Sequence, residues 1–391
     1  GKPQYNMKIL KAFIQHSTFL AHQQRPIIKT RRIRLTPFTR SPSFTRSYRK
    51  SVNKVAMMEK SLETYDSYGG EKMTIFCSDG IELAALRWKP PPSTDQREIP
   101  RHRIICLHGW MDNAATFHIL APELANMENS DFIEEIVAFD FPGHGLSSHK
   151  SADNVQVLSD YAYYVMEALS WLGWYKPGEK NDSKQITVIG HSMGAGVATF
   201  VAAAWPDRIR SLVLLESFGP VFRNVSDVSK HLRASCEKRI RSNRTLYADG
   251  LNKGSTRSRI YPSIDIAVKT RMYTAKMCPG EQYISKEAAE ALVGRGTLKV
   301  KNEGVRFRHD PRLSWPSIQY NTQNQVEHLW ISIRAPVCVI KGDDGWPLTE
   351  EYSEFVPKIR PLIHSLIKLP GSHHLHADPS TVDAASATIA N

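Results

Sequence analysis

Residues 186–205 read ITVIGHSMGAGVATFVAAAW. The apolar, β-branched start of this stretch predicts a buried strand, and the run of small residues after it predicts a helix. Between them stands Gly-His-Ser-Met-Gly, in which Ser192 has a glycine two positions away on each side. So sharp a strand-to-helix turn requires glycines because the crowded backbone leaves no room for side chains. The stretch therefore predicts that Ser192 is a nucleophile at the end of a buried strand.

Similar short apolar runs recur along the chain, and helical patterns lie between several of them. Leu158, Ala162, Val165, Leu169 and Leu172 form one helical stripe, with spacings of 4, 3, 4 and 3 residues. Runs that are apolar throughout are typical of parallel strands buried on both faces. Alternating strands and helices predict an α/β protein with a mostly parallel, doubly wound sheet. The strand-like runs are TIFCSDG (74–80), ELAALRW (82–88), RIICLHG (103–109), EIVAFDFPG (135–143), SLVLLES (211–217), APVCVIKGDD (335–344) and SLIKLPG (365–371).

The alternation breaks at about Gly219 and resumes at Ala335. Because helical, polar and basic segments occupy the interval, we interpret residues 219–330 as a helical cap inserted between two strands of one domain, residues 59–391. Residues 220–330 contain 20 Lys plus Arg against 10 Asp plus Glu. A basic cap could draw an anionic substrate into the cleft below it. Solvated cap helices would carry the same charge, so the sequence leaves both interpretations open.

The positive charge of the chain is concentrated at its N-terminal end. Residues 1–58 contain 13 Lys plus Arg and no acidic residue, whereas the rest of the chain has 38 basic against 39 acidic residues. We predict a basic, disordered N-terminal extension, or an organelle transit peptide, whose Arg-rich, Ser-rich and acid-poor composition it shares. Since the first residue is Gly, Met7 or the pair Met57 and Met58 are alternative starting points.

Cysteines and apolar runs indicate the compartment. The five cysteines are an odd number, and Cys106 and Cys338 lie in strand-like runs, which favours free thiols in a reducing environment. No apolar run reaches the ~18 residues of a membrane helix, and no secretory signal is recognisable. We predict an intracellular protein, cytoplasmic, mitochondrial or peroxisomal, without a transmembrane segment. No nucleic-acid-binding motif occurs, so no nucleic-acid partner is expected; the oligomeric state is left open.

Two further parts of a nucleophilic site can be placed from the sequence. The helix after Ser192 directs free N–H groups to that point, so the backbone N–H of Met193 is a candidate oxyanion donor. The turn after RIICLHG supplies a second candidate, the backbone N–H of Trp110. A base must follow the last strand, where SLIKLPG leads into Ser-His-His-Leu-His, residues 372–376. Because no Cys or carboxylate cluster completes a ligand set there, we predict a general base and neither a metal nor a cofactor.

Seven segments together resemble the α/β-hydrolase superfamily and, within it, the serine hydrolase-like, or kraken-type, family. The resemblance runs from about Glu71 to the end of the chain. It implies the α/β-hydrolase fold with an inserted helical cap, and a serine hydrolase activity. The segments are LHGWMDNAATF (107–117), VAFDFPGHGLSSH (137–149), IGHSMGAGVA (189–198), LVLLESFGP (212–220), LVGRGTLKV (292–300), DPRLSWPS (310–317) and LPGSHHLH (369–376).

The resemblance also implies roles for individual residues. Ser192 matches the family's nucleophile, and Trp110 and Met193 match the residues of its oxyanion hole. The family's Gly-x-His after the last strand falls on His373, which is then the base in preference to the two later histidines.

The acid of the triad has two candidates. Many superfamily members carry an Asp three residues after the Gly that ends the seventh strand, but that position is Gly345 here, directly after Asp344. Some relatives instead use a carboxylate at the end of the preceding strand, where this chain has Glu216, 24 residues beyond Ser192. We therefore predict Glu216 as the acid, with Asp344 as the alternative.

These residues predict a hydrolase that cleaves a carboxylic ester or thioester of a small-molecule acyl substrate through a Ser-His-acid triad and an acyl-enzyme. Two other functions stay open. One is a carbon–carbon bond hydrolase with the same triad, and the other is a non-catalytic binding protein on the same fold.

Overall fold

The computed structural model describes residues 68–91, 101–127, 132–151, 154–179, 186–248, 259–280 and 282–390. The extension predicted at residues 1–58 lies outside the described residues. The described part contains eleven strands: β1 (Glu71–Phe76), β2 (Glu82–Trp88), β3 (His102–Leu107), β4 (Ile133–Phe139), β5 (Ile186–His191), β6 (Ile209–Leu215), β7 (Ile260–Tyr261), β8 (Thr297–Val300), β9 (Gly304–Phe307), β10 (Val337–Asp344) and β11 (Ser365–Ser372). It also contains nine α-helices: α1 (Leu120–Asn126), α2 (Asp160–Trp171), α3 (Met193–Ala204), α4 (Val228–Ala248), α5 (Ile264–Lys276), α6 (Lys286–Gly296), α7 (Gln323–Ser332), α8 (Glu350–Ile359) and α9 (Val382–Ala390).

Eight of the strands form one twisted sheet in the order β1-β2-β4-β3-β5-β6-β10-β11. β2 pairs antiparallel with both β1 and β4, and the other five strand pairs are parallel. Apolar runs buried on both faces make the central strands, as expected for parallel strands covered by helices. The predicted α/β class with a mostly parallel, doubly wound sheet is therefore confirmed.

Side chains of β3 show how the sheet separates two hydrophobic layers. Ile105 and Leu107 point into the layer that holds α2, α3 and Phe355. Ile104 and Cys106 point into the opposite layer, which includes α1, α9 and Phe117. Since successive residues of a strand face opposite sides, one run of apolar residues supplies both layers.

The interval between β6 and β10 contains α4 to α7 and a separate three-stranded sheet in the order β7-β9-β8. The sequence pattern predicted helices in this insert but no strands. The three strands are only two to four residues long, which is too short for an alternating pattern to be recognised. Packing of the insert around residues such as Ala267, Ala289 and Val293 gives it a small core of its own.

The parallel part of the sheet brings the predicted site residues to one edge. Ser192 directly follows β5, Glu216 follows β6, and His373 follows β11. Parallel strands end at the same edge of a sheet, and this carboxyl edge is where open α/β sheets bind their ligands. Three residues distant in sequence are thereby placed side by side.

All five cysteines of the chain are free thiols, which agrees with the prediction from their number. Within the described residues, none of the helices combines the length and the apolar character that crossing a membrane requires.

Candidate active site

The turn between β5 and α3 holds Ser192 in a strained conformation. Its φ of 51° and ψ of −111° lie outside the regions that L-residues ordinarily occupy. A Cβ at Gly194 would lie 2.1 Å from the carbonyl oxygen of Leu107, and one at Gly190 would lie 2.6 Å from Cα of Ala195. No side chain fits at either position. The two glycines of the pentapeptide are therefore required by close backbone packing on both sides of Ser192.

His373 is held beside this turn by its backbone. Its N–H donates to Oε1 of Gln282 from the insert, at 2.9 Å. Its carbonyl oxygen accepts a hydrogen bond from Nε2 of His191, at 2.8 Å. Because His191 directly precedes Ser192, this bond fixes the end of β11 against the serine turn. The two imidazole rings are 4.8 Å apart.

Glu216 contacts the imidazole of His373. Its Oε2 lies 3.0 Å from Nδ1 of His373, and the residue itself has a φ of 60°. The carboxylate also accepts hydrogen bonds from the backbone N–H of Gly342 at 2.6 Å and of Trp346 at 2.9 Å, and from Nζ of Lys341 at 3.0 Å. A buried carboxylate with four donors is held in a single orientation.

The pKa of Glu216 reflects these contacts. Burial by itself would raise it, but the hydrogen bond from His373, the charge of Lys341 and the N–H of Gly342 outweigh burial and lower the pKa to about 2. Glu216 is therefore ionised at any pH at which the protein would work. Since a carboxylate only accepts, Nδ1 of His373 carries a proton and Nε2 is the free acceptor.

Asp344 does not make the corresponding contact. Its side chain is exposed at the end of β10, and its carbonyl oxygen accepts a hydrogen bond from Nε2 of Gln282 at 2.9 Å. Of the two carboxylates predicted from the sequence, the structure brings Glu216 and not Asp344 to His373.

The other two histidines of the C-terminal segment have different partners. Nε2 of His374 lies 3.1 Å from Oδ2 of Asp112. Nε2 of His376 lies 3.0 Å from Oγ1 of Thr116, and complete burial together with the neighbouring His374 lowers the pKa of His376 to about 3. Neither ring is bonded to Glu216, so the geometry singles out His373 among the three.

Burial is the main influence on the pKa of His373 and lowers it below the usual 6.5. The hydrogen bond and the charge of Glu216 raise it, while His374 and Lys341 oppose this. The ring is therefore neutral near pH 7, which is the form that can accept a proton.

The loop after β3 lies against the start of α3, where the two predicted oxyanion donors are found. A Cβ at Gly194 would come 2.7 Å from the carbonyl oxygen of His108, so the loop carrying Trp110 packs on the helix that Met193 begins. The Trp110 side chain is half exposed, and its Nε1 donates to the carbonyl oxygen of Leu313 in the insert at 3.1 Å. The role of the backbone N–H groups of Trp110 and Met193 as oxyanion donors stays a prediction.

A buried polar cluster beside the site was not predicted. Oδ1 of Asp112 accepts a hydrogen bond from Nη2 of Arg271 at 2.7 Å, and Oδ2 lies near both His374 and His191. Burial would raise the pKa of Asp112, but His374 and Arg271 hold it well below its usual value. Asp112 lies within the LHGWMDNAATF segment, but nothing in its local pattern indicates partners that are 159 and 262 residues away.

Comparison with known proteins places this geometry in a family. Residues 102–247 match a family model described as the α/β hydrolase fold. A serine hydrolase-like protein from Danio rerio is 30% identical over 278 residues, which cover 70% of this chain and 76% of the relative. The chain belongs to the serine hydrolase-like family of α/β hydrolases.

Other members of this family and solved α/β hydrolases agree with the assignment. A serine hydrolase-like protein from Dictyostelium discoideum is 28% identical over 319 residues, which cover 79% of this chain and 78% of the relative. The crystal structure of a hypothetical protein from Pseudomonas aeruginosa PAO1 is 30% identical, with a TM-score of 0.65, and covers 82% of this chain and 100% of that protein. The serine hydrolase-like family and the α/β-hydrolase fold that the sequence motifs indicated are thus confirmed.

Proposed function

We propose that this serine hydrolase-like protein cleaves a carboxylic ester or thioester, with Ser192 as nucleophile, His373 as general base and Glu216 as the acid of the triad. The observation that carries the proposal is the 3.0 Å contact between Glu216 Oε2 and His373 Nδ1. The backbone of the same His373 is hydrogen-bonded to His191, which directly precedes Ser192.

The first half-reaction begins when Nε2 of His373 takes the proton of Ser192. Oγ of Ser192 then forms a bond to the carbonyl carbon, whose oxygen becomes an oxyanion. When the tetrahedral intermediate collapses, the bond to the leaving group breaks and His373 returns the proton to the departing alcohol or thiol. Glu216 stabilises the imidazolium that exists between these two transfers, because its charge and its hydrogen bond favour the protonated ring.

In the second half-reaction, His373 takes a proton from water as the water oxygen bonds to the carbonyl carbon of the acyl-enzyme. The bond from that carbon to Oγ of Ser192 then breaks, His373 returns the proton to Oγ, and the carboxylic acid is released. The backbone N–H groups of Met193 and Trp110 would bind the oxyanion in both halves. Loss of one such donor typically costs about 10²- to 10³-fold in rate.

We propose that the insert, residues 219–330, acts as a cap that selects the acyl group. Support comes from its contacts at the edge of the site, where Gln282 binds the backbone of His373 and Leu313 accepts from Trp110. Its 20 basic against 10 acidic residues in 220–330 support an anionic substrate. An intracellular location, cytoplasmic, mitochondrial or peroxisomal, is likewise a proposal and is supported by the free cysteines.

The direct test is covalent labelling by a fluorophosphonate probe, read by intact mass. The wild type should gain one adduct, and the Ser192→Ala variant should gain none. Ser217→Ala is a matched control, because Ser217 lies in the loop after β6, directly after Glu216, and is not the proposed nucleophile. It should label like the wild type. A folded wild type that stays unlabelled would contradict the proposal and favour a binding protein on this fold.

Labelling establishes the nucleophile but not the bond that is cleaved. Hydrolysis of p-nitrophenyl butyrate, a butyryl thioester and a β-diketone should therefore be compared at equal concentration. Ester and thioester cleavage without β-diketone cleavage is expected. Cleavage of the β-diketone without cleavage of the ester or the thioester would identify a carbon–carbon bond hydrolase.

A further inference from the structure

Two buried hydrogen-bond acceptors face each other next to the proposed active site. Nε2 of His191 lies 2.8 Å from the carbonyl oxygen of His373, and since a carbonyl only accepts, Nε2 carries the proton of a neutral His191. Nδ1 of the same ring then presents a lone pair. It lies 3.6 Å from Oδ2 of Asp112, which is also an acceptor.

Neither acceptor can turn to water, because His191 is 1% and Asp112 3% exposed. Nδ1 of His191 has no hydrogen-bond partner among the described residues. A buried polar atom that lacks a partner costs free energy, and two lone pairs that face each other add repulsion. A cation between them removes both costs.

His374 supplies a third ligand at the same point. Its Nε2 is 3.1 Å from Oδ2 of Asp112, and the ligand atoms of Asp112, His191 and His374 all lie within 4.8 Å of one another. Tetrahedral zinc, with bonds of roughly 2.0–2.2 Å to nitrogen and oxygen, separates its ligand atoms by about 3.4 Å. The separations of 3.1 and 3.6 Å lie on either side of this value.

We propose that Asp112, His191 and His374 bind one transition-metal dication of the zinc type. This departs from the expectation of no metal, which considered the C-terminal histidines without Asp112, a residue 262 positions from His374. Asp112 binds through Oδ2, His191 through Nδ1, and His374 through Nε2 in the tautomer that carries its proton on Nδ1. Imidazole and carboxylate ligands suit this class of ion, whereas Mg²⁺ and Ca²⁺ prefer oxygen ligands alone.

The partners of the ligands fit the proposal. A metal-binding histidine commonly donates its other N–H to a backbone carbonyl, and His191 does so to His373. Binding carboxylates are themselves hydrogen-bonded, and Arg271 holds Oδ1 of Asp112 at 2.7 Å while Oδ2 stays available.

Two groups other than a metal ion could place a positive charge between Nδ1 of His191 and Oδ2 of Asp112. One is a proton on Nδ1 of His191, but this would place a charged imidazolium, 1% exposed, among the rings of His373, His374 and His376 at 4.3–5.0 Å. The other is the guanidinium of Arg271, whose Nη2 lies 3.4 Å from Nε2 of His374. Arg271 repels a dication and must give up this second contact when the ion binds, so it weakens the site.

Metal binding should slow the proposed reaction. The His191 ring is 4.8 Å from that of His373, and a dication on it disfavours the imidazolium that His373 forms when it takes the proton of Ser192. This consequence rests on the proposed function, whereas the binding itself does not.

Zn²⁺ binding to the purified full-length chain should be measured by competition with a chromophoric chelator, after the protein has been stripped with EDTA. We expect one tight site in the wild type, and at least about tenfold weaker binding in Asp112→Asn and in His374→Gln. His328→Asn is the matched control, since His328 is exposed on α7, and it should bind like the wild type. Arg271→Gln should bind several-fold more tightly, a gain that loss of folding cannot produce.

The outcomes separate the two proposals. Absence of a tight site, or equal affinity in wild type, Asp112→Asn and His374→Gln, would overturn the metal site. If Zn²⁺ binds as expected, fluorophosphonate labelling should slow in the wild type and stay unchanged in Asp112→Asn at the same Zn²⁺ concentration. A zinc-free wild type that does not label would instead contradict the proposed function and leave the binding result standing.

Discussion

The carboxylate of Glu216 fills the space into which a side chain at position 345 would project, since a Cβ built on Gly345 would lie 2.3 Å from Glu216 Oε1. Position 345 is where many α/β hydrolases carry their acid, after the strand that corresponds to β10. Two neighbouring strands, β6 and β10, can thus deliver a carboxylate to the same place beside His373. Glu216 at this place leaves room only for glycine at position 345.

This relationship predicts that the acid can be moved between the strands. Glu216→Ala should lower the rate of fluorophosphonate labelling by about 10²- to 10⁴-fold, because His373 loses the partner of Nδ1. Gly345→Asp alone should lower the stability of the fold, since two carboxylates would compete for the same space. The double variant Glu216→Ala/Gly345→Asp should recover a measurable part of the labelling rate. A double variant no faster than Glu216→Ala would show that position 345 cannot replace Glu216.

Asp344 should be dispensable for the reaction. Its side chain is exposed and makes no contact with His373, so Asp344→Asn should label at the wild-type rate within about twofold. Asp343→Asn is the matched control on the neighbouring residue. A loss as large as that of Glu216→Ala would make Asp344 the acid and contradict the assignment of Glu216.

The pH dependence of labelling should report His373. Because the base must be neutral and burial lowers its pKa below 6.5, the rate should rise with pH through an apparent pKa below 6.5 and then level off. Glu216 raises the pKa of His373, so Glu216→Gln should move this rise to lower pH while it reduces the plateau. An unchanged midpoint in Glu216→Gln would contradict the contact.

Lys341 should shift the pH midpoint of labelling in the direction opposite to that of Glu216. Its positive charge lowers the pKa of His373, so Lys341→Met should move the rise in labelling rate to higher pH. Lys358→Met is the matched control, because Lys358 forms an ion pair with Glu327 of α7. The midpoint of this variant should stay where it is in the wild type. A shift of equal size in both variants would indicate a general effect of net charge.

The parts of the site that depend on local pattern could be predicted from the sequence. Ser192 is recognisable because both glycines that its turn requires lie within a five-residue motif, although the backbone that crowds Gly194 belongs to Leu107 and His108. The choice between Glu216 and Asp344 could not be made in this way. It depends on which of the two carboxylates lies next to His373 once β6 and β10 are paired.

Contacts between distant segments and very short elements were not predicted. Asp112 and His374 are 262 residues apart, and only the closure of the sheet brings them together. The strands of the insert contain two to four residues, so they form through pairing with one another and not through a periodic pattern of their own. The fold class, by contrast, follows from apolar runs that recur along most of the chain.

The strained backbone of Ser192 predicts a conflict between stability and activity at this residue. Glycine adopts a φ of 51° without the steric cost that a Cβ imposes, so Ser192→Gly should be more stable to urea than Ser192→Ala by about 1–3 kcal/mol. The matched control is Ser170, exposed in the last turn of helix α2, where the backbone is helical. There the order should reverse, with Ser170→Gly less stable than Ser170→Ala by up to about 1 kcal/mol. If Ser192→Ala were at least as stable as Ser192→Gly, the turn at Ser192 would not be strained. The predicted order at both positions would mean that the serine is kept at a cost to folding because its hydroxyl is needed.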